Sequence, residues 1–317
     1  MLTYTETLVS IVIPTFGRAN FLERSLNSAI NQTYKNIEII VVNDNNENTA
    51  EFKKTTELLE KFLKFENRLL ILNMKKNSGG AVARNKGAAI SRGKYLCFLD
   101  DDDEFHPKKI SQQLKKIENS TLELSVVGGF ANIINEENKL IRIEQNERKG
   151  LMYKEQLKNN VCTTSIAMIK ADIFKKVGGF DDVRSSQEHR LFIKIFQENP
   201  NYDYVADILV NINHHSGERI SNGKGKVEGA IKLFDYVKEI LNKHPEKFNE
   251  FEVNEIKKSH YKNIIRAYMQ SDMDRKKAVK YLMYLLMLDK KLNLKYILII
   301  LLGFPKIDRI KRRIKKI

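Results

Sequence analysis

Short β-branched runs alternating with segments of helical period constrain this chain more than any other feature. Val9–Pro14, Ile37–Val42, Arg68–Leu72 and Tyr95–Leu99 are dense in Val, Ile and Leu and read as strands. Between them, Phe21–Gln32, Glu51–Phe65 and the small-residue segment Gly79–Ser91 carry helical spacing. Strands that are apolar on both sides need both sheet faces covered, and intervening helices supply the cover. The pattern predicts βαβ units: an α/β fold with a Rossmann-like, mostly parallel sheet flanked by helices. Right-handed crossovers then align the carboxyl ends of the strands on one edge, where ligands bind in open α/β sheets.

Further along, Leu124–Ile143 reads as strands around a turn at Asn135–Asn138, and Val161–Lys170 as another strand. A short helix over Lys170–Val177 is closed by Gly178–Gly179, a pair suited to a left-handed cap. Ser186–Glu198 is helical in pattern and Tyr204–Ile212 extended. From Val227 the pattern is helical, so the boundary is expected in the Gly/Ser/Asn-rich stretch Ser216–Gly229. The expected division is 1–222, with halves of about 1–105 and 106–222, followed by a helical region over 223–317. With 317 residues, 42% of them hydrophobic, the chain can bury a core of that size.

A net charge of +15 favours an acidic partner. Cys97 and Cys162 are too few for a disulfide framework and read as buried thiols in a reducing compartment. The opening MLTYTETLVSIVIP lacks the basic start and cleavage site of an export signal. The longest apolar run, Tyr296–Phe304, is far short of the ~20 residues a spanning helix needs. The expectation is a cytoplasmic protein, peripheral on the inner face of the cell membrane.

Three segments carry chemistry. Asn43-Asp44-Asn45-Asn46 ends a strand, so Asp44 either caps a turn or accepts a hydrogen bond from a ligand's imide or hydroxyl. Asp100-Asp101-Asp102-Asp103 follows the strand Tyr95–Leu99 directly. Four adjacent carboxylates repel one another unless a cation sits among them, and hard oxygen ligands suit Mg²⁺ or Mn²⁺; the ordinary alternative is a solvated acidic loop. Asn77–Gly87 (NSGGAVARNKG) is small enough to pack tightly, while Arg84 can meet a phosphate. There is no GxxxxGK phosphate loop and no metal-binding cysteine cluster.

These segments, with Val9–Arg18 (VSIVIPTFGR), Ile39–Asp44 (IIVVND), Gly93–Asp103 (GKYLCFLDDDD), Thr163–Asp181 and Gln187–Lys194, resemble glycosyltransferase family 2 and its GT-A fold over about Val9–Ser221. The resemblance implies a nucleotide-diphospho-sugar donor. Asp44 would bind the uracil base and Arg84 the pyrophosphate, while Pro14, Thr15 and Arg18 line the nucleotide pocket. Asp100-Asp101-Asp102 would be the DxD motif, with Asp102 the principal ligand of Mn²⁺ or Mg²⁺ and Asp100 nearer the ribose. The catalytic carboxylate falls at Glu188, in Gln187-Glu188-His189, where the family more often has Asp and then Trp. His215, in His214-His215-Ser216-Gly217-Glu218-Arg219, matches a position that helps hold metal or diphosphate, the alternative being a structural histidine. An inverting, metal-dependent transfer to a glycan or lipid-linked acceptor follows.

The end of the chain has its own signature. Ile307, Ile310, Ile314 and Ile317 fall on one helical face, amid Lys306, Arg309, Lys311, Arg312, Arg313, Lys315 and Lys316. A basic amphipathic helix of this kind docks on anionic lipid, although a contact with the catalytic domain or in an oligomer would use the same face. Nucleic acid is not expected as a partner, since no groove-reading motif accompanies the charge. Two rival readings are a sugar-nucleotide nucleotidyltransferase, opposed by PTFGR where a Gly-rich loop would stand, and a non-catalytic nucleotide-sugar-binding or membrane scaffold.

Overall fold

In the computed structural model, which describes residues 7–183, 185–214, 225–272 and 275–288, the first two strands are buried along their whole length. These are β1 (Val9–Thr15) and β2 (Ile37–Asn43), joined by helix α1 (Ala19–Ile30). Helix α2 (Ala50–Leu63), capped by the Thr49 hydroxyl, leads to β3 (Leu69–Asn73), and α3 (Gly80–Ile90) leads to β4 (Tyr95–Phe98). All pairings within β3-β2-β1-β4 are parallel. The chain moves outward from β1 to β3, then returns to the other side of β1, so the strand order reverses between β1 and β4. Crevices form at such a point, outside the strand ends.

Pro14 fits this arrangement. The β4 ladder stops at the pairing of Val12 with Phe98, so no partner needs the N–H that Pro14 lacks. Gly87 lets α3 lie directly on the sheet: a Cβ there would come within 2.4 Å of the Val12 side chain.

The second half is built differently. It runs β5 (Glu104–Phe105), α4 (Lys109–Glu118), β6 (Val126–Asn135), β7 (Leu140–Glu144), β8 (Gly150–Leu151), α5 (Tyr153–Lys158), β9 (Met168–Lys170), α6 (Ala171–Lys176), α7 (Gln187–Glu198) and β10 (Asn201–His214). The sheet order continues β4-β9-β6-β10-β5. β9 is antiparallel to both β4 and β6, while β6 and β10 are parallel, so the sheet as a whole is mixed. The expected strand over Val161–Lys170 is only Met168–Lys170. Before it, backbone groups are taken by side chains and by a turn instead of a ladder: Val161 N–H donates to Gln156 Oε1 at 2.8 Å, while Ile166 and Ala167 N–H donate to Thr163 O at 3.2 Å. The left-handed cap after α6 is as expected: Gly178 and Gly179 have φ of +77° and +67°, and their N–H groups bond Lys175 O and Phe174 O.

A second compact unit is helical. It contains α8 (Gly225–Lys243), a 3₁₀ turn at Pro245–Lys247, α9 (Glu250–Ala267), a π turn at Tyr268–Asp272 and α10 (Arg275–Leu288), together with Leu157–Asn159. Asn249 and Glu252 form a capping box at the start of α9. Phe234, Ile264, Ile265, Ala278 and Leu285 make the core of this unit, and His260 stacks on Phe234 at 5.0 Å. No helix among the described residues is long and apolar enough to cross a membrane. His215 and the tail Lys306–Ile317 lie outside the described residues.

Candidate active site

The ends of β1, β2 and β4 bring Thr15, Asp44 and the acidic run Asp100–Asp103 to the same sheet edge. The start of α3 joins them. Asp44 is buried, and its carboxylate accepts from Ser78 N (2.9 Å), Ser78 Oγ (2.7 Å), Gly79 N (2.9 Å) and Asn77 Nδ2 (3.0 Å). Four donors fill the four acceptor positions of a carboxylate. Asp44 thus ties down the Asn77–Gly79 loop that leads into α3; a ligand donor would take the place of one of these bonds.

Arg84, one turn into α3, forms an ion pair with Asp100 and lies 5.6 Å from the centre of the Phe180 ring. Its Nε is buried without a hydrogen-bond partner. Asn85 holds the neighbouring loop, donating to Phe180 O at 2.8 Å and accepting from Phe180 N at 2.9 Å.

The four carboxylates of the acidic run part company. Oxygens of Asp100, Asp102 and Asp103 converge within 4.8 Å of one another. Asp101 points elsewhere, accepting from Thr15 Oγ1 at 2.8 Å and from Arg18 Nη1 at 3.4 Å. Arg18 also reaches Asp102 at 2.8 Å. Burial, then the neighbouring Asp102, pushes the Asp101 carboxyl up to about 7, against the pull of Thr15 and Arg18. Burial, then Asp100 and Asp102, pushes Asp103 well above the ordinary carboxylate range, although it accepts from Ser165 Oγ (2.8 Å) and Asn213 N (3.1 Å). Three converging oxygens that repel one another, with an all-oxygen donor set, suit a hard divalent cation. Mn²⁺ or Mg²⁺ therefore fits the residues present.

Glu188 opens α7. Its Oε2 accepts from Thr164 N (3.1 Å) and Thr164 Oγ1 (3.0 Å), and its Oε1 from Asn160 Nδ2 (3.1 Å). Burial raises its affinity for a proton, the Thr164 bonds oppose this, and Asp100 and Arg84 are close enough to be felt. Pro14, Thr15, Arg18, Asp44, Arg84, Asp100, Asp101, Asp102 and Glu188 thus all lie in the sheet unit. Asp103, Ser165 and Asn213 were not among the residues expected at the site. Asp103 was visible in the acidic run, and Ser165 lay within the matching segment Thr163–Asp181 without a role; Asn213 carried no signal, because only folding brings it to the run.

The glycosyl transferase family 2 pattern matches residues 10–178, more than half of the chain. The chain belongs to glycosyltransferase family 2. An uncharacterized glycosyltransferase of Rickettsia conorii is 31% identical over 229 residues, covering 68% of this chain and 36% of the relative. This chain therefore spans about a third of that relative's length. The putative teichuronic acid biosynthesis glycosyltransferase TuaG of Bacillus subtilis is 26% identical over 53% of this chain and 64% of its own. Among solved structures, S. aureus TarS 1–349 in complex with UDP-GlcNAc superposes with a TM-score of 0.59 at 15% identity, over 86% of this chain and 88% of that one. The likeness is one of fold, the GT-A fold of the glycosyltransferases. As a family 2 member, the chain is a glycosyltransferase.

Proposed function

We propose that this glycosyltransferase moves a sugar from a UDP-sugar to a hydroxyl of a cell-surface glycan or lipid-linked acceptor, by a cation-assisted, inverting displacement. The observation that carries the reading is the meeting at one sheet edge of a three-carboxylate cluster, a partly buried arginine paired to it and a separate partly buried carboxylate. When the bond to the diphosphate breaks, negative charge grows on the leaving oxygens. Mn²⁺ or Mg²⁺, when bound, supplies positive charge to that diphosphate. Asp100, Asp102 and Asp103 are the residues to hold it, with His215 a further ligand following β10. Arg84 meets the diphosphate as its second positive group. Thr15, Arg18, Pro14 and Asp101 form the wall of the nucleotide pocket, and Asp44 stands on the base side.

Glu188 acts as general base, taking the proton of the acceptor hydroxyl as that oxygen attacks. Burial suits it to the task, since a base works best with a pKa near the working pH. One displacement from the opposite face inverts the anomeric carbon, and no covalent intermediate is needed. The UDP-GlcNAc held by TarS supports a UDP-sugar donor, and the teichuronic acid biosynthesis ascribed to TuaG supports a cell-surface acceptor. The basic, isoleucine-striped tail supports placement on the inner membrane face. Co-sedimentation with anionic vesicles, with and without 306–317, tests that placement; equal sedimentation of the two chains ends it. The donor is tested by thermal shift with UDP-, GDP- and dTDP-sugars in Mn²⁺. A ligand at 100 times its Kd adds about 2.7 kcal/mol. A panel in which no nucleotide sugar shifts the Tm sinks the reading.

A further inference from the structure

Behind Glu188 lies a polar arrangement, with Gln156 and His189 buried and Asn160 partly buried, that the chemistry so far leaves unused. Gln156 of α5 and His189 of α7 are latched reciprocally: His189 Nε2 bonds Gln156 O at 2.6 Å, and Gln156 Nε2 donates to His189 O at 3.1 Å. A carbonyl only accepts, so His189 carries its proton on Nε2. Gln156 Oε1 is occupied by the N–H of Val161 at 2.8 Å, which fixes the orientation of the amide. Its Nε2 then donates a second hydrogen bond, to Asn160 Oδ1 at 2.9 Å. With its oxygen so occupied, Asn160 presents Nδ2 to Glu188 Oε1 at 3.1 Å. Every donor and acceptor along the line has one direction.

We infer that Gln156 and Asn160 are positioning residues that hold Glu188 as an aimed, ionised carboxylate, and that His189 serves this chain as the latch of that assembly. The inference rests on Glu188 being the base. Physically, a glutamate has one more rotatable bond than an aspartate, so it needs more restraint to hold one direction. Asn160 restrains Oε1 while Thr164 restrains Oε2. A hydrogen bond donated to a carboxylate also favours its charged form, so Asn160 opposes the upward push of burial on Glu188.

The test uses the full chain with ¹³C-carboxyl-labelled glutamate. The Glu188 resonance is identified by its loss in Glu188→Gln and titrated in wild type, in Asn160→Ala and in the isosteric Asn160→Asp. Donor turnover is followed as UDP release from UDP-GlcNAc with Mn²⁺. In Asn160→Ala the Glu188 titration should move to higher pH. The acid limb of kcat should move with it, and kcat should fall about 10- to 100-fold, the scale of one hydrogen bond to a charged group. KM for UDP-GlcNAc should stay unchanged. Gln156→Glu keeps the acceptor for Val161 N–H but loses the donors to Asn160 and His189, so it should reproduce the shift in milder form. Adding Asn160→Ala to Glu188→Gln should lower turnover no further. An unmoved Glu188 titration in both Asn160 variants overturns the inference, whatever the donor. Wild-type turnover in Glu188→Gln, whose expected loss is about 10²–10⁴-fold, overturns the assignment of the base itself.

Discussion

The two ends of the central sheet bury carboxylates equally well and treat them oppositely. At the amino end, Glu38 of β2 is 2% exposed, and its carboxylate accepts from Ser10 Oγ (2.6 Å), Arg92 N (2.6 Å) and Arg92 Nε (2.9 Å). Burial raises its pKa, yet the combined donors win and hold it below its usual value of 4.5. At the carboxyl end, Asp101 and Asp103 are each 5% exposed and both are pushed up, first by burial and then by neighbouring carboxylates that their hydrogen-bond donors do not offset. One end is a satisfied joint that fastens β1 and β2 to the Arg92–Gly93 turn. The other gathers four carboxylates around two arginines, Arg18 and Arg84. Equal burial therefore leaves the direction of the shift to the donors and charges around each carboxylate.

The largest expected effect lies at the carboxyl end. Asp102→Asn removes a charge from the converging cluster, and Mn²⁺-dependent binding of UDP-GlcNAc should be lost, by at least about a hundredfold in Kd if the lost interaction matches a buried ion pair of ~3 kcal/mol. Calorimetry with and without Mn²⁺ measures it. Unchanged Mn²⁺-dependent binding would show that this edge is no more demanding than the other.

Next comes Glu38→Gln. It leaves Arg92 donors facing an amide and should destabilise the fold by about 1–3 kcal/mol in urea unfolding, while Mn²⁺-dependent binding is kept. A smaller effect of opposite sign is expected from Asp101→Asn. Relief of repulsion should stabilise the cation-free protein by roughly 1 kcal/mol, about 2–4 °C in Tm. A lower Tm in EDTA would mean that the Thr15 and Arg18 bonds outweigh the repulsion.

In the pH dependence the two ends should again differ in sign. The folded state holds a proton on Asp101 up to about 7, well above the unfolded value of 3.8. Its contribution therefore raises stability as pH falls through that interval. Glu38, with its lowered folded pKa, contributes stability above its unfolded value of 4.5 and loses it as pH falls further. Urea unfolding in EDTA across this range should show the upper slope flatten in Asp101→Asn and the acid limb flatten in Glu38→Gln. Curves that superpose on wild type would remove the contrast.

The division of labour between sequence and tertiary structure follows from distance along the chain. β1 through β4 and the helices between them were legible because their signals are local: a β-branched run, a helical period, a strand breaking into polar residues. The same locality made Arg84, Asp44, the acidic run and Glu188 readable as family motifs. Short elements such as β5, β8 and α5 gave no period to read, and β9 shrank because side chains and a turn at Thr163 took the preceding backbone groups. Only the folded chain decided which three of the four aspartates converge. Asp103 turns inward because Ser165, 62 residues on, and Asn213, 110 residues on, meet it there. Asp101 turns away because Thr15, 86 residues earlier, draws it. The residues around Asp44 allow either a cap or a ligand group; the folded chain adds the Asn77–Gly79 loop as its partner. Hydrogen bonds and charge act over a few ångströms, so the aim and charge state of each group depend on neighbours that the sequence keeps far apart. Residue type and strand position were written locally; direction and ionisation were set by the fold.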